Sequence, residues 1–435
     1  MDGTISDDPS SGLTSDLFAP HVVVAGGGPA GLLTALLLGE RGIRTTVIEP
    51  TLSTEQWSAK SYSINLNERG IAALNTAAGV LDVVKAAAVQ RNAVVIHASD
   101  NSEVVLPRSP PNLALSRPAL VECLAQLVAR CPQVTLSRGV SVAKAGYADT
   151  DGHGDVRVTL DDGTTFCATH LVGADGKWSA VRAAFFGQSS GGCSIRSVPS
   201  WGVILPPLAS VPKAWRADAT HVFKPSTPGA PFYALASPLP QRDAASQCSV
   251  TLVFFDAALK TMPWFGPLSS KKGDTADGGW VAPAASGSDR APAGRMCHPA
   301  LSLATLLETE LPAVAAELQE VSLADALVGR RVSWVDLTMD FATADGRVVL
   351  VGDSCHAMSP SLGEGANCAL ESAVALLASL GPPATDDGPP SINELSRALA
   401  DYGRKRPLEV RPVQLRSAAA SQGTGGERPV GPSAK

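Results

Sequence analysis

The stretch HVVVAGGGPAGLLTALLLGERGIRTTVIEP, His21 to Pro50, decides the fold. An apolar strand runs into three glycines, an uncharged helix follows, and a second strand ends at Glu49. A β-α-β unit of about thirty residues is the size of a parallel strand pair with one crossover. Gly26, Gly28 and Gly31 satisfy GxGxxG: the first makes the tight turn, the second admits a pyrophosphate to the backbone, and the third allows close helix–strand packing. The helix amino terminus offers N–H groups and a positive dipole end to phosphates. Glu49, eighteen residues after Gly31, stands where a carboxylate can accept from a ribose diol. The rival reading is a glycine turn that only packs, with Glu49 a solvated strand end. The run Val22–Gly39 approaches membrane-spanning length, but its glycines and Pro29 divide it into strand, turn and helix, so no transmembrane segment is expected.

Working outward, the chain has the makeup of a globular protein: 435 residues, 45% hydrophobic and 17% charged. A net charge of -6 argues against a nucleic-acid partner. Eight scattered cysteines without a CxxC, and histidines without HxxxH spacing, indicate reduced thiols, an intracellular and cytoplasmic setting, and no metal site. Residues 1–20 are polar and acidic and read as a disordered leader. Helical patterning is expected over Gly70–Ala88, Arg117–Arg130 (with Ser116 as N-cap) and Leu301–Leu318, and a short amphipathic helix over Ile392–Lys405. Val94–His97 and Glu103–Pro107 read as short strands, and Asp161-Asp162-Gly163 as a hairpin turn. After Gly191, short strands between proline-rich turns indicate an antiparallel sheet.

Two further motifs carry chemistry. HLVGADGKWSAVR (His170–Arg182) is a strand running into Asp175-Gly176, with Ser179 and Arg182 at helical spacing; alone it reads as a strand–turn–helix start. VVLVGDSCHAMSPSLGEGAN (Val348–Asn367) delivers Asp353 at the carboxyl end of a strand, where α/β sheets place ligands, then a loop with Pro360, Gly363 and Gly365. A carboxylate there can bind polyol hydroxyls, and the glycines let a flat ring approach the backbone. The following helix start, with Ala366 and Asn367, can stabilise negative charge.

In this order and at these separations, the three motifs resemble those of the class A flavoprotein monooxygenases, and within them the kynurenine 3-monooxygenase family. SINLNERGIAAL (Ser63–Leu74), LSRPALVECL (Leu115–Leu124) and LVGADGKWSAVR carry the likeness, which covers roughly Val22 to Ser372. It implies an α/β fold: a Rossmann-like FAD-binding domain of the p-hydroxybenzoate hydroxylase type, with a second antiparallel-sheet substrate domain. The expected division is a leader (1–20), a first FAD-binding part (21–190) holding some substrate-domain strands, and a substrate domain (191–340) with a flexible insertion (267–295). A last FAD-binding part (341–380) and a linker, short helix and polar tail (381–435) complete it.

The resemblance further implies FAD as cofactor, NADPH or NADH as co-substrate, and O₂ and a small molecule as partners. Adenosine and pyrophosphate would lie at Gly26–Gly31 and Glu49, with Arg117 near the pyrophosphate or ribitol. Asp353 would hold the ribitol, Gly363–Asn367 would face the isoalloxazine, and Asp175-Gly176 would lie beside the pyrophosphate and the reductant's path. The implied reaction is hydroxylation of a small aromatic substrate through a flavin C4a-hydroperoxide, with no catalytic side chain assigned. Alternatives are an epoxidase, another flavin oxidoreductase, or a flavin-binding redox sensor. His356, Cys355 and Cys368 read as packing residues. The family's substrate-carboxylate clamp is replaced: its arginine position holds Val94 and its tyrosine position Arg108. Arg108, or else Arg91, is the candidate substrate anchor. No match to the family's carboxy-terminal region is legible after Arg406.

Overall fold

The computed structural model describes residues 19–53, 63–100, 102–149, 154–187, 193–197, 200–241, 244–255, 299–318, 323, 327–328, 333–337, 340–382 and 388–420. Most of the expected leader, the insertion 267–295 and the tail from Ser421 lie outside the described residues.

The first half contains β1 (His21–Ala25), α1 (Pro29–Glu40), β2 (Arg44–Glu49), β3 (Ser63–Leu66), α2 (Glu68–Leu74), α3 (Val80–Ala87), β4 (Val89–His97), β5 (Glu103–Ser116), α4 (Arg117–Val128), β6 (Val134–Arg138), β7 (Val142–Tyr147), β8 (Val156–Leu160), β9 (Thr165–Ala168), β10 (His170–Gly173) and α5 (Ala180–Phe186). There follow β11 (Cys193–Ser197), β12 (Ser200–Ile204), β13 (Ala219–Phe223), β14 (Phe232–Gln241), β15 (Ala244–Phe255), α6 (Pro299–Glu310), α7 (Pro312–Ala315), β16 (Leu327–Val328), β17 (Ser333–Leu337), β18 (Val348–Leu350), α8 (Asp353–His356), α9 (Gly365–Ala378) and α10 (Ile392–Ala420).

Five strands form a parallel sheet in the order β18-β10-β1-β2-β6. From β1 the chain builds toward β2 and β6, then returns to add β10 and β18 on the other side. The direction of growth reverses between β1 and β10, and the carboxyl ends of strands at such a reversal open a crevice. Val22, Val23, Val24, Val348, Val349 and Leu350 are fully buried, as expected of parallel strands covered on both faces.

An eight-stranded sheet, ordered β16-β12-β15-β14-β13-β4-β5-β3, is antiparallel except where β13 runs parallel to β4. Its separate core includes Ala234, Val250, Leu252 and Phe254, packed with Leu303 and Leu307 of α6 and Val314 of α7. In the small β7-β8-β9 sheet the expected turn forms: Gly163 has φ +87° and Thr164 N–H donates to Asp162 Oδ1 at 2.8 Å.

Three expectations are corrected. The helix expected over Gly70–Ala88 is two helices, broken where Gly79 takes a left-handed φ of 72°. Strand β5 does not stop at Pro107 but continues to Ser116. Its pairing with β4 lapses between Ala93↔Pro107 and Arg91↔Asn112, so Pro110 and Pro111 fall where no ladder N–H is required. The short helix expected to end at Lys405 reaches Ala420. Pro407 and Pro412 each remove a backbone donor and should end it. Burial of Val410, Val413, Ser417 and Ala418 carries the helix through. Gln414 Nε2 adds a hydrogen bond to Ala357 O at 3.4 Å, which ties this helix to the loop after α8.

Candidate functional site

The turn after β1 leaves no space for side chains. Gly26 has φ +106°, and a Cβ there would lie 2.3 Å from Ala174 O; one on Gly31 would lie 2.0 Å from Gly26 O. The Asp175-Gly176 segment therefore packs directly on the GGGPAG turn. Gly28, extended at φ -73°, caps α1 without a side-chain hydrogen bond. The Arg117 guanidinium stands over it, 3.7 Å from where its Cβ would be. Arg117 is held there as the first residue of α4, whose Ser116 Oγ accepts from Ala119 N–H at 3.2 Å.

Glu49 is buried at 5% exposure, and its carboxylate accepts from Gly27 N–H at 2.7 Å and Thr51 N–H at 2.8 Å. It is thus part of the glycine turn, and each oxygen keeps lone-pair capacity for a diol. The reading of Glu49 as a solvated strand end is excluded.

Asp353 lies at the end of β18, two strands from β1. It remains solvent-accessible, yet enclosure by protein raises its carboxyl pKa, while Arg117 and then Lys177 pull it back. A side chain both accessible and enclosed lines a cleft. Its two nearby cations come from the amino end of α4 and from the turn after β10. Gly352 packs against Ala30 of α1 at a projected 3.1 Å, so the third motif abuts the first.

Arg182 joins the second motif to the third. It is 6% exposed, donates through Nη2 to Lys177 O at 2.8 Å, and donates through Nη1 to Ser354 O. Asp175 accepts from the Ala180 and Val181 N–H groups through Oδ2 at 2.7 and 3.1 Å. Its Oδ1 is buried with no partner among the described residues, and burial raises its pKa despite these bonds. Gly176 follows at φ +79°.

At the other end, Pro360 starts a short 3-10 turn, Gly363 takes φ +67°, and Gly365 opens α9 with Ala366 and Asn367 in its first turn. Asn367 is 1% exposed and fully used: Oδ1 accepts from Asn67 N–H at 3.0 Å, and Nδ2 donates to Asn65 O and Gly363 O, each at 3.1 Å. Its side chain shapes the loop, leaving the backbone to face a ligand. Asn67 Nδ2 and Arg69 both donate to Glu364, and Arg69 also meets Glu371 at 3.1 Å. Arg406 of α10 continues this network, donating from Nε to Ser372 Oγ at 3.0 Å and from Nη1 to Glu409 at 2.7 Å. Asn67, Arg69, Glu364, Arg182 and Arg406 were not assigned roles from sequence. The SINLNERG match marked the place of the first two, but their partners lie about 300 residues away.

His356 is fully buried and bonds through Nε2 to Ser372 Oγ at 2.8 Å; burial, then Arg406, pulls its pKa down to about 3. Burial pushes the Cys368 thiol up to about 11 and that of Cys355 well above its usual value. All three are packing groups. Arg108 is exposed on the irregular stretch of β5. Arg91 is 2% exposed and donates to Ala219 O, Thr220 Oγ1 and Pro238 O, which makes it a staple between strands and not an accessible anchor. No group of three or more metal-ligating side chains occurs among the described residues, and no described helix is long and apolar enough to cross a membrane.

The profile of the FAD binding domain family matches residues 20–259 and 329–401, well over half the chain. The chain belongs to this family. Both matched segments are needed to build the cleft, since Gly28 lies in the first and Asp353 in the second. Kynurenine 3-monooxygenase of Dictyostelium discoideum is 26% identical over 367 residues, covering 82% of this chain and 68% of that protein. Zeaxanthin epoxidase of Spinacia oleracea is 32% identical over 184 residues, or 39% of this chain and only 26% of the epoxidase. The match to FAD-dependent monooxygenase BOA8 of Botryotinia fuckeliana spans only 8% of that protein, and the match to kynurenine 3-monooxygenase of Salinispora tropica spans 71%. The crystal structure of Klebsiella pneumoniae HpxO, complexed with FAD and uric acid, superposes with a TM-score of 0.67 at 17% identity, covering 94% of this chain and 90% of HpxO, and so shares the fold.

The residues present fit FAD, the family's cofactor. The close-packed glycine turn, the two cations beside it, the orphaned Asp175 oxygen and the accessible Asp353 are what an extended dinucleotide would engage.

Proposed function

We propose that the protein is an FAD-dependent monooxygenase that uses NAD(P)H and O₂ to oxygenate a small, planar substrate. The observation that carries this reading is the convergence of Gly28, Arg117, Lys177 and Asp353 on one cleft, although they come from four separate parts of the chain. Bound flavin supplies hydride acceptance from the nicotinamide and transfer of one oxygen atom of O₂ to the substrate, the other leaving as water.

The chain's own residues bind, orient and enclose. Backbone N–H groups at the start of α1 and the Arg117 and Lys177 charges would hold the phosphates. Glu49 would take the ribose diol, and Asp353 would accept from the polyol chain. The Gly363–Asn367 backbone would face the flavin ring system, its shape set by Asn367 and by the Arg69–Glu364 pair. The half-buried face of the eight-stranded sheet keeps water from the reacting centre.

The test is direct. Purified protein should be yellow, and NADPH oxidation should consume O₂ and yield an oxygenated product once a substrate is supplied. A colourless protein that takes up no added FAD would end the proposal.

A further inference from the structure

The two faces of the eight-stranded sheet differ. One carries Ala234, Ala236, Val250, Leu252 and Phe254, buried against α6 and α7. The other carries Val94, Ile96, Val222, Leu235, Thr251 and Val253, which share a face by register and are half-buried. This second face belongs to the cleft side. At the β3–β5 edge its positions are Ile64, Leu66, Leu113 and Leu115, paired across strands and packed into the core that holds β1 and β10.

Tyr233 stands on this second face, opposite Val253, with its ring 5.7 Å from that of Phe255. Its surroundings are enclosed enough that burial raises the phenol's pKa. Its hydroxyl makes no hydrogen bond to the described residues, in contrast with the buried Tyr402, whose hydroxyl donates to Leu350 O at 3.2 Å. The Tyr233 hydroxyl is not sealed from solvent, so it is free to donate to a molecule held against this face.

We propose that Tyr233 is the polar anchor of the substrate pocket, and that the substrate is an uncharged planar molecule with one hydrogen-bond acceptor, such as a carbonyl or phenolic oxygen. The inference rests on the flavin reading above. A carboxylate laid on this row of Val, Ile, Leu and Thr side chains would lose its hydration without gaining a cation there. The expectation that Arg108 anchors an acidic substrate predicts the opposite preference.

The experiment uses FAD-loaded protein and two matched pairs of probes: 4-hydroxyacetophenone with 4-hydroxybenzoate, and methyl 2-naphthyl ketone with 2-naphthoate. Binding is followed by the shift in flavin absorbance, and turnover by NADPH oxidation. The ketone of at least one pair should bind about tenfold or more tightly than its acid. Tyr233→Phe should weaken ketone binding about tenfold while leaving FAD retention unchanged. Val94→Arg should move the preference toward the acid. Equal or tighter binding of both acids, silence of both ketones, or an unaltered Tyr233→Phe overturns the proposal. Weaker acid binding in Arg108→Ala overturns it in favour of the anionic anchor. Protein that takes up no FAD instead overturns the flavin reading, which keeps the two failures apart.

Discussion

At the carboxyl ends of β1, β10 and β18, the groups that meet at the cleft are charged or have no side chain at all: Gly26, Gly28, Glu49, Arg117, Asp175, Lys177 and Asp353. At the strand centres of the cleft-side face of the eight-stranded sheet they are aliphatic or hydroxylated, Tyr233 among them, with Gln90 and Gln247 toward the strand ends. The first region suits a ligand whose chemistry is constant, phosphates and hydroxyls, and each contact requires a particular residue type. The second suits shape and exclusion of water, which many combinations of apolar side chains provide. Substitutions should therefore act sharply in the first region and gently in the second.

The sharpest break is expected at Gly31. Gly31→Ala places a Cβ 2.0 Å from Gly26 O, a backbone atom that cannot move aside. The variant should lose at least about 3 kcal/mol of stability and retain no FAD, as read from the absorbance ratio of purified protein and from thermal melts. Next comes Arg406→Ala. It removes one of two donors to Ser372 Oγ, the other being His356, and one of two cations on Glu371, the other being Arg69, and should lower stability by about 2 kcal/mol, visible as a fall in Tm. Asp353→Ala should fold normally but weaken FAD binding by about tenfold or more, measured by fluorescence titration of apoprotein. If Asp353→Ala holds FAD as tightly as the parent, the charged cleft loses its far end.

Acid should weaken the parallel-sheet region through His170 and His356. Burial pulls both down to about 3, helped by Arg347 and Arg406 respectively. Between pH 6.5 and about 3 the unfolded chain binds protons there that the folded chain refuses. Stability is full above pH 6.5 and falls as pH drops, by up to about 1.4 kcal/mol per unit for each histidine. Urea midpoints at pH 7 and pH 5 measure this, and a foldable His356→Gln should flatten the slope. The smallest effect is expected on the other side of the comparison. Leu235→Ala, on the half-buried face, should cost about 1 kcal/mol and leave FAD retention intact. A large loss of FAD there would erase the contrast between the two regions.

The glycine turn was readable from local sequence because its requirement is local: a positive φ at Gly26 and a close helix start at Gly31 concern residues a few positions apart. The DDG hairpin and the Ser116 cap were readable for the same reason. The role of Arg182 was not, because its meaning depends on Lys177 O and Ser354 O arriving on either side of one guanidinium. The end of α10 was misjudged because proline propensity is a local penalty, and tertiary burial of Val410 and Val413 outweighs it.

The chain's own order of residues determined the parallel strand pair, the glycine cradle and the placing of Asp353 at a strand end, since each follows from side-chain size, backbone freedom and hydrophobic period over short spans. Tertiary structure alone decided that Asp353 shares a cleft with Arg117 and Lys177, that Asn367 is spent on Asn65 and Asn67, and that the Tyr233 hydroxyl, on the cleft-side face, bonds to none of the described residues. These depend on which strands become neighbours and in what register. A one-residue slip would turn Tyr233 to the sealed side of the sheet.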